Sequence, residues 1–542
     1  MLASARHRRL FSSVALTAAL AVGVGAAGCR TSGSDVQRWG DTLQGPRKLA
    51  AVVTHDKFPL ALRVEAAMTL IEMKPRGGKQ VGIEGVDNDP EQPGVVNAIA
   101  SLVPAERARI IGKLTPELIQ KMSEPPPRAQ GGQPAPADPS HSYKDGAFAL
   151  LSYDDGALIT DENLETQLKA ALAEWCMTDF AARLDDSSQM FGVEQVLRAL
   201  GAQGVKKLPD LIKPGAKKIK RMADLISDLG DDETRLRAST KLVSVAKEVN
   251  SDHWKKQKAP AVEAANKASK LEPTPRQFQA QLDQYQEEEL LRVFGSMKKV
   301  GGRPAVDYLI HFAEDKDNSA KRRSAAVAAL EGHLDKNKPD EVQAMLELAG
   351  ADDTPDGLRD QVLRRVGEMP RKLVVNKLYE LFKNDNWKIR WVAAELVLKM
   401  SDTSQVGGFM RKLGRVKGMA ITEPLRYGAL IGDMKGKTSP EKVVDRYAAP
   451  GHAVQARLSA LGYYYNDGTK EDLSKVRRYE NDRTKVPQCN EDAEDCAWQC
   501  TITQGKSQET KDISSVGDFV RYCVEPQMKK NKKAEKKADK KK

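Results

Sequence analysis

One spacing recurs along this chain: an arginine followed by small or aliphatic residues at +3, +4 and +7. It reads Arg63, Ala66, Ala67, Leu70 in the first copy, then Arg235, Ala238, Ser239, Leu242. It returns as Arg323, Ala326, Val327, Leu330, as Arg359, Val362, Leu363, Val366, and as Arg390, Ala393, Ala394, Val397. A looser copy is Arg426, Ala429, Leu430, broken by Asp433, and the last is Arg457, Ala460, Leu461, Tyr464. Offsets of 3, 4 and 7 lie on one face of a helix, and small residues there let neighbouring helices approach closely. From Arg323 onward the intervals are 36, 31, 36 and 31 residues. A period in this range predicts stacked helix pairs, because one pair cannot bury its own apolar face. No convincing series of strands and turns competes with it.

Several copies follow an acidic turn: Asp56, Asp231-Asp232, Asp317, Asp352-Asp353 and Asp385. Here the sequence resembles the HEAT-repeat family, whose second helix begins after such a turn and carries the arginine. The resemblance covers most of residues 300–465, and 45–75 and 185–250 more loosely. It implies an all-α, armadillo-like α-solenoid with a concave groove for another protein or peptide. The implied function is binding and scaffolding rather than catalysis. Two rival readings stand beside it: an enzyme accessory resembling the lyase-type HEAT proteins, and a binder of surface polysaccharide.

The N-terminus reads as an export signal. Arg6, His7, Arg8 and Arg9 precede the apolar stretch Val14–Val24, which is too short to span a membrane, and then Gly25-Ala26-Ala27-Gly28-Cys29. The small residues before Cys29 resemble a bacterial lipobox, although Ala26 stands where Leu is commonest. That resemblance implies cleavage after Gly28 and acylation of Cys29, and several acyl chains hold a protein on a membrane durably. Arg30 is not the Asp that commonly retains such lipoproteins at the inner membrane, so the outer membrane is the expected site within the bacterial envelope. Arg8-Arg9-Leu10-Phe11 loosely resembles a twin-arginine motif, a weak signal in any arginine-bearing leader.

A net charge of +11 suggests nucleic acid until it is dissected. Residues 29–528 hold 74 basic and 73 acidic side chains, so the excess sits at the two ends. A nucleic-acid-binding domain concentrates positive charge on a folded face. The composition gives no such face. The tail 529–542 carries nine lysines, suited to solvated disorder or to screened contact with an anionic envelope surface.

Four cysteines crowd the C-terminal end: Cys489, Cys496, Cys500 and Cys523. In an exported chain they predict two disulfides, with three pairings open. Four thiolates also suit zinc, yet no Cys-x2-Cys pair exists. Cys176, beside Trp175, reads as a buried free thiol. Catalytic motifs fail. Gly23-Val24-Gly25-Ala26-Ala27-Gly28 matches a dinucleotide fingerprint but lies in the leader. Gly432–Thr438 resembles a phosphate loop one residue short, after a helix instead of a strand. The seven histidines are scattered, and pairs such as Asp154-Asp155 and Asp185-Asp186 suit solvated turns. No catalytic, cofactor-binding or metal residue is nominated.

The expected layout is a signal peptide 1–28, N-terminal helical repeats 29–123 and a Pro-rich disordered linker 124–140. Middle helical repeats 141–254 and a polar interruption 255–275 follow. A regular array 276–480, a Cys-rich cap 481–528 and a Lys-rich disordered tail 529–542 complete the chain.

Overall fold

The computed structural model describes residues 31–531, apart from 87–88, 126–137, 154–156, 336, 352, 386, 435, 437, 489–496 and 505–506. Cys29, Cys489, Cys496 and the tail beyond Asn531 therefore lie outside the described residues. The chain is predominantly helical, with 69% helix against 3% strand. It divides into two compact units between Val196 and Leu197, within the expected segment 141–254.

In the N-terminal unit, α1 (Gly45–Thr54) packs on α2 (Leu60–Glu72), and α2 on α3 (Pro104–Ser123). α4 (Ser140–Leu151) and α5 (Glu162–Met177) close over α3. The α2 face Arg63, Ala66, Ala67, Leu70 is wholly buried, as the spacing predicts.

The C-terminal unit begins with α6 (Ile219–Leu229), α7 (Asp232–Val249), α8 (Asp252–Ala268) and α9 (Pro275–Val300). Helix α8 runs straight through most of the expected polar interruption. Beyond α9 the helices come in pairs: α10 (Arg303–Glu314) with α11 (Ala320–Ala329), α12 (Pro339–Gly350) with α13 (Asp356–Gly367), and α14 (Arg371–Glu380) with α15 (Trp387–Lys399). Then come α16 (Val406–Leu413), α17 (Thr422–Gly432), α18 (Glu441–Ala448) and α19 (Val454–Asp467). The second helices α11, α13, α15, α17 and α19 each pack on the next, and α10, α12 and α14 do likewise. Ion pairs join residues one period apart: Lys298 with Glu331, Lys316 with Asp353, Arg415 with Glu380, and Lys475 with Glu441. Exposed pairs of this kind add little stability. They do locate successive pairs side by side.

The recurrent arginine has a defined task. Arg63, Arg323, Arg359, Arg390 and Arg457 are all buried, each in the first turn of a second helix. Arg63 Nε donates to the Val53 carbonyl at 2.9 Å and Arg323 Nε to Ala313 at 2.7 Å. Arg359 Nη1 reaches Ala349 at 2.6 Å, and Arg457 Nε reaches Ala448 at 3.2 Å. Each acceptor sits at the C-terminal end of the preceding helix, where the last carbonyls lack intrahelical partners and the helix dipole is negative. Arg390 serves the turn itself, donating to Asn384 and Asp385 carbonyls at 2.8 Å. Arg235 is half-buried and reaches the Ser227 carbonyl at 3.2 Å.

Arg426 departs from this pattern. Its side chain is exposed and pairs with Glu395 at 3.3 Å. The buried face of α17 is Pro424, Tyr427, Gly428 and Ile431, two positions earlier than the arginine spacing suggests. Two residues are about 200° of helix rotation, which turns Arg426 outward. The corrected copy gives intervals of 34 and 33 from Arg390 through Pro424 to Arg457.

Glu423, beside Pro424, is fully buried and lies 3.1 Å from Arg390 Nη2. Burial pushes its carboxyl up to about 8, against the opposing pull of Arg390. The folded state therefore holds a proton that the unfolded chain releases above its ordinary value near 4.5. Stability of the C-terminal unit should fall as pH rises from about 5 to 8, by on the order of a few kcal/mol. Denaturant unfolding across that window checks this, and Glu423→Gln should flatten the slope.

The C-terminal end carries a feature that the all-α expectation omits. Strands β1 (Gln499–Gln504) and β2 (Ser507–Asp512) form an antiparallel hairpin with Cys500 opposite Lys511. Cys500 is bridged to Cys523 in the helical run 516–530, with Cα atoms 5.6 Å apart. Trp498 Nε1 donates to the Met419 carbonyl at 2.7 Å, and Met419 N–H to Pro487 at 2.7 Å, which seats this end on the helices before it.

Candidate functional site

A cleft of about 520 Å³ opens between α7 and α10. Two glycines seat α10 there. Gly301 and Gly302 have φ of 67° and 89°, and a Cβ on Gly302 would lie 3.0 Å from Ser239 Oγ on α7. That serine accepts the Ala305 N–H at 3.0 Å, so the start of α10 is fastened to α7. From this start, Pro304, Asp307, Tyr308, His311 and Asp315 follow at helical spacing along one wall. Val243, Lys247 and Asn250 of α7 form the other.

Phe312 is buried in the floor, edge-on to Phe294 with centroids 5.0 Å apart. Asn250 donates to Asn318 at 3.2 Å and accepts from Arg322 at 3.3 Å, closing one end. His311 Nδ1 lies 2.6 Å from the Asp307 carbonyl, which makes that nitrogen the donor. Burial raises the Tyr308 phenol well above its usual range, so its hydroxyl remains a donor. Lys247 supplies an exposed cation. The cleft thus offers one aromatic floor with a donor, an acceptor and both signs of charge on its walls. Among the residues that line it, no nucleophile is paired with a base.

A second polar cluster lies inside the N-terminal unit. Lys144 and Asp145 are buried as an ion pair, and Asp145 accepts the N–H groups of Met190 and Phe191 at 3.0 Å. Arg183 stacks over the Trp175 ring at 3.9 Å, and Trp175 Nε1 donates to Ser140 Oγ at 2.9 Å. His141 Nδ1 stands 3.3 Å from Asp186. These bonds pin the segment 186–191 onto α4 and hold α4 and α5 together. Cys176 beside them is a buried free thiol, as expected, and burial pushes it up to about 12, which leaves it unreactive.

The residues singled out in sequence fall into three groups. The buried arginines serve helix ends and not the cleft. Cys500 and Cys523 form one of the expected bridges; Cys489, Cys496 and the lipidation candidate Cys29 fall outside the described residues. Asp154-Asp155 also lie outside, while Asp186 caps the Ser188 N–H at 2.8 Å and faces His141. Gly432 is the last residue of α17, so the sequence after it follows a helix. Among the described residues no group of three His, Cys, Asp or Glu is placed to hold a metal ion, and no helix is long and apolar enough to cross a membrane. Sequence reasoning missed Lys247, Tyr308 and His311, whose spacing matched any solvated helix face. No family model and no curated protein matches this chain.

Proposed function

We propose that this chain is a membrane-anchored envelope lipoprotein whose HEAT-like α-solenoid scaffolds another protein, and that the α7–α10 cleft takes a peptide segment of that partner. The observation that carries the reading is the cleft itself: an aromatic floor flanked by unlike polar groups, set between helices of a stacked array. Stacked pairs present such surfaces over a long front, and rigid helices hold the side chains in place. Acylation at Cys29 would fix the scaffold to the envelope, outer membrane by default, and the lysine tail would add screened attraction to an anionic surface.

A photo-crosslinking residue at Val243 in the full-length chain, expressed in cells, tests the reading. One stoichiometric protein adduct is expected, and Tyr308→Ala with Lys247→Glu should remove most of it. Cys29→Ala should abolish acyl labelling and release the protein to the soluble fraction. A cleft that yields no adduct, or an adduct indifferent to the cleft substitutions, overturns the binding site. A wild-type chain without lipid label overturns the anchor.

A further inference from the structure

Two tips stand side by side at one end of the N-terminal unit. The first is the turn 41–44, between the short helix Gly33–Gly40 and α1. The second is the turn Arg76–Lys79, whose end residues exchange backbone hydrogen bonds of 2.9 and 3.0 Å. Arg76 joins the two: its Nη1 donates to the Leu43 carbonyl at 3.1 Å and its Nη2 to the Thr42 carbonyl at 2.6 Å. Behind the first tip, a Cβ on Gly45 would fall 2.1 Å from the Trp39 carbonyl oxygen, so the chain is closely packed there. The backbone is therefore fixed, yet it holds Leu43 out in solvent. At 83% exposure this is the most exposed large apolar side chain among the described residues. Gly77 and Gly78 have φ of 59° and 82° and nothing within 4 Å of their Cβ positions, so the second tip also projects freely. Residues 41–48 and 74–79 carry five basic side chains against Asp41. Arg47 pairs with Glu91 at 2.8 Å, which leaves Lys48, Lys74, Arg76 and Lys79. Glu72 beside them accepts from the Tyr143 hydroxyl at 2.6 Å. Lys48 Nζ lies 5.4 Å from the centre of the half-buried Trp39 ring.

We infer that these tips are the face by which the N-terminal unit lies against an anionic lipid bilayer, with Leu43 seated among the headgroups. The inference rests on the anchor proposed at Cys29. An exposed leucine, a tryptophan and a surplus of cations suit the boundary layer of such a bilayer, where apolar side chains are covered and basic ones meet lipid phosphates. Chain length places the tips close to the anchor. Cys29 stands three residues before Ser32, at most about 11 Å of extended chain. Ser32 caps the helix Gly33–Gly40, about 12 Å long, and the first tip follows it directly. One short helix and a turn thus separate the acylated residue from Leu43. The other strongly exposed apolar side chain of this unit, Val103 at 63%, stands at the far end of α1. It precedes α3 within a turn of Glu106, which pairs with Arg63 beside the Val53 carbonyl.

Quenching by brominated lipid tests the face. The acylated full-length chain is placed on vesicles of phosphatidylethanolamine with about a quarter phosphatidylglycerol, brominated high on the acyl chains. Leu43→Trp should add emission that the bromines quench by about half or more, because side chains seated at this boundary reach about 5–10 Å inward. Val103→Trp should add emission that they leave unquenched. Both positions face solvent, so neither change disturbs packing. Lys48→Glu with Lys74→Glu should cut the quenching at position 43 about twofold or more, by replacing attraction to the phosphates with repulsion. An acylated, vesicle-bound chain whose added indole at 43 escapes quenching overturns this face and leaves the anchor standing. So does equal quenching at 43 and 103, or quenching indifferent to the charge reversals. A wild-type chain without acyl label overturns the anchor and this face together.

Discussion

Gly462→Ala should lower the stability of the C-terminal unit by about 3 kcal/mol or more, although alanine is the better helix former by about 1 kcal/mol. Helices α17 and α19 meet backbone to backbone. A Cβ on Gly462 would fall 2.1 Å from the Pro424 carbonyl oxygen, and one on Gly428 would fall 2.1 Å from the Gly462 carbonyl carbon. Neither obstacle is the end of a side chain that can swing away, so the helices themselves must part. Parting them would loosen the buried face of Pro424, Tyr427, Gly428 and Ile431 and the Arg390–Glu423 pair beside it. Gly295→Ala is the matched control. Gly295 is also mid-helix, in α9, but nothing lies within 4 Å of its Cβ position. That change should stabilise by about 0.5–1 kcal/mol through helix propensity and unfolded-state entropy alone. Opposite signs in denaturant unfolding, with faster amide exchange in α17 and α19 for Gly462→Ala alone, are the expected pattern. Equal effects of the two changes would mean that the close approach does not exist.

That contact also shows where sequence reasoning stops. The faces around Arg323, Arg359 and Arg390 were legible, because a charged residue followed by small ones at helical spacing has few other uses. The same rule misplaced the next copy by two residues. The α17 slot holds Pro424, so the arginine spacing lands on Arg426 instead, and Gly428 falls outside the pattern although it meets the backbone of α19. The 499–512 hairpin was invisible for another reason. Gln499–Gln504 and Ser507–Asp512 show no apolar alternation, and the pairing is held by Cys500–Cys523 and by Trp498 on the Met419 carbonyl. Both ties are long-range, and no local window reports them. The cleft was hidden in a third way. Asp307, Tyr308 and His311 look like the solvated side of α10 until the paired glycines at 301–302 bring α7 alongside.

Arg359→Met should cost about 3–5 kcal/mol, while Arg426→Met should change stability by less than about 0.5 kcal/mol. Both arginines belong to the same sequence pattern, so sequence alone predicts equal effects. Their surroundings differ. Arg359 is 3% exposed and gives three charge-assisted hydrogen bonds, to the carbonyls of Ala349 at 2.6 Å, Ala351 at 3.2 Å and Thr354 at 2.9 Å. Methionine preserves most of the volume and removes all three, leaving buried acceptors at the end of α12 without donors. Nothing nearby can replace them without water entering the α12–α13 turn. Lysine at 359 should recover only part of the loss, because a single ammonium cannot span the acceptors that the planar guanidinium reaches. Arg426 meets one exposed carboxylate, Glu395, and solvent can satisfy both when the pair is broken. Unfolding midpoints of the four proteins, wild type included, measure the contrast directly. Equal losses at 359 and 426 would restore the arginine register at 426 and undo the assignment of Pro424. A neutral Arg359→Met would show that the helix-end carbonyls find other donors, and that the recurrent arginine marks the helix pairs without holding them together.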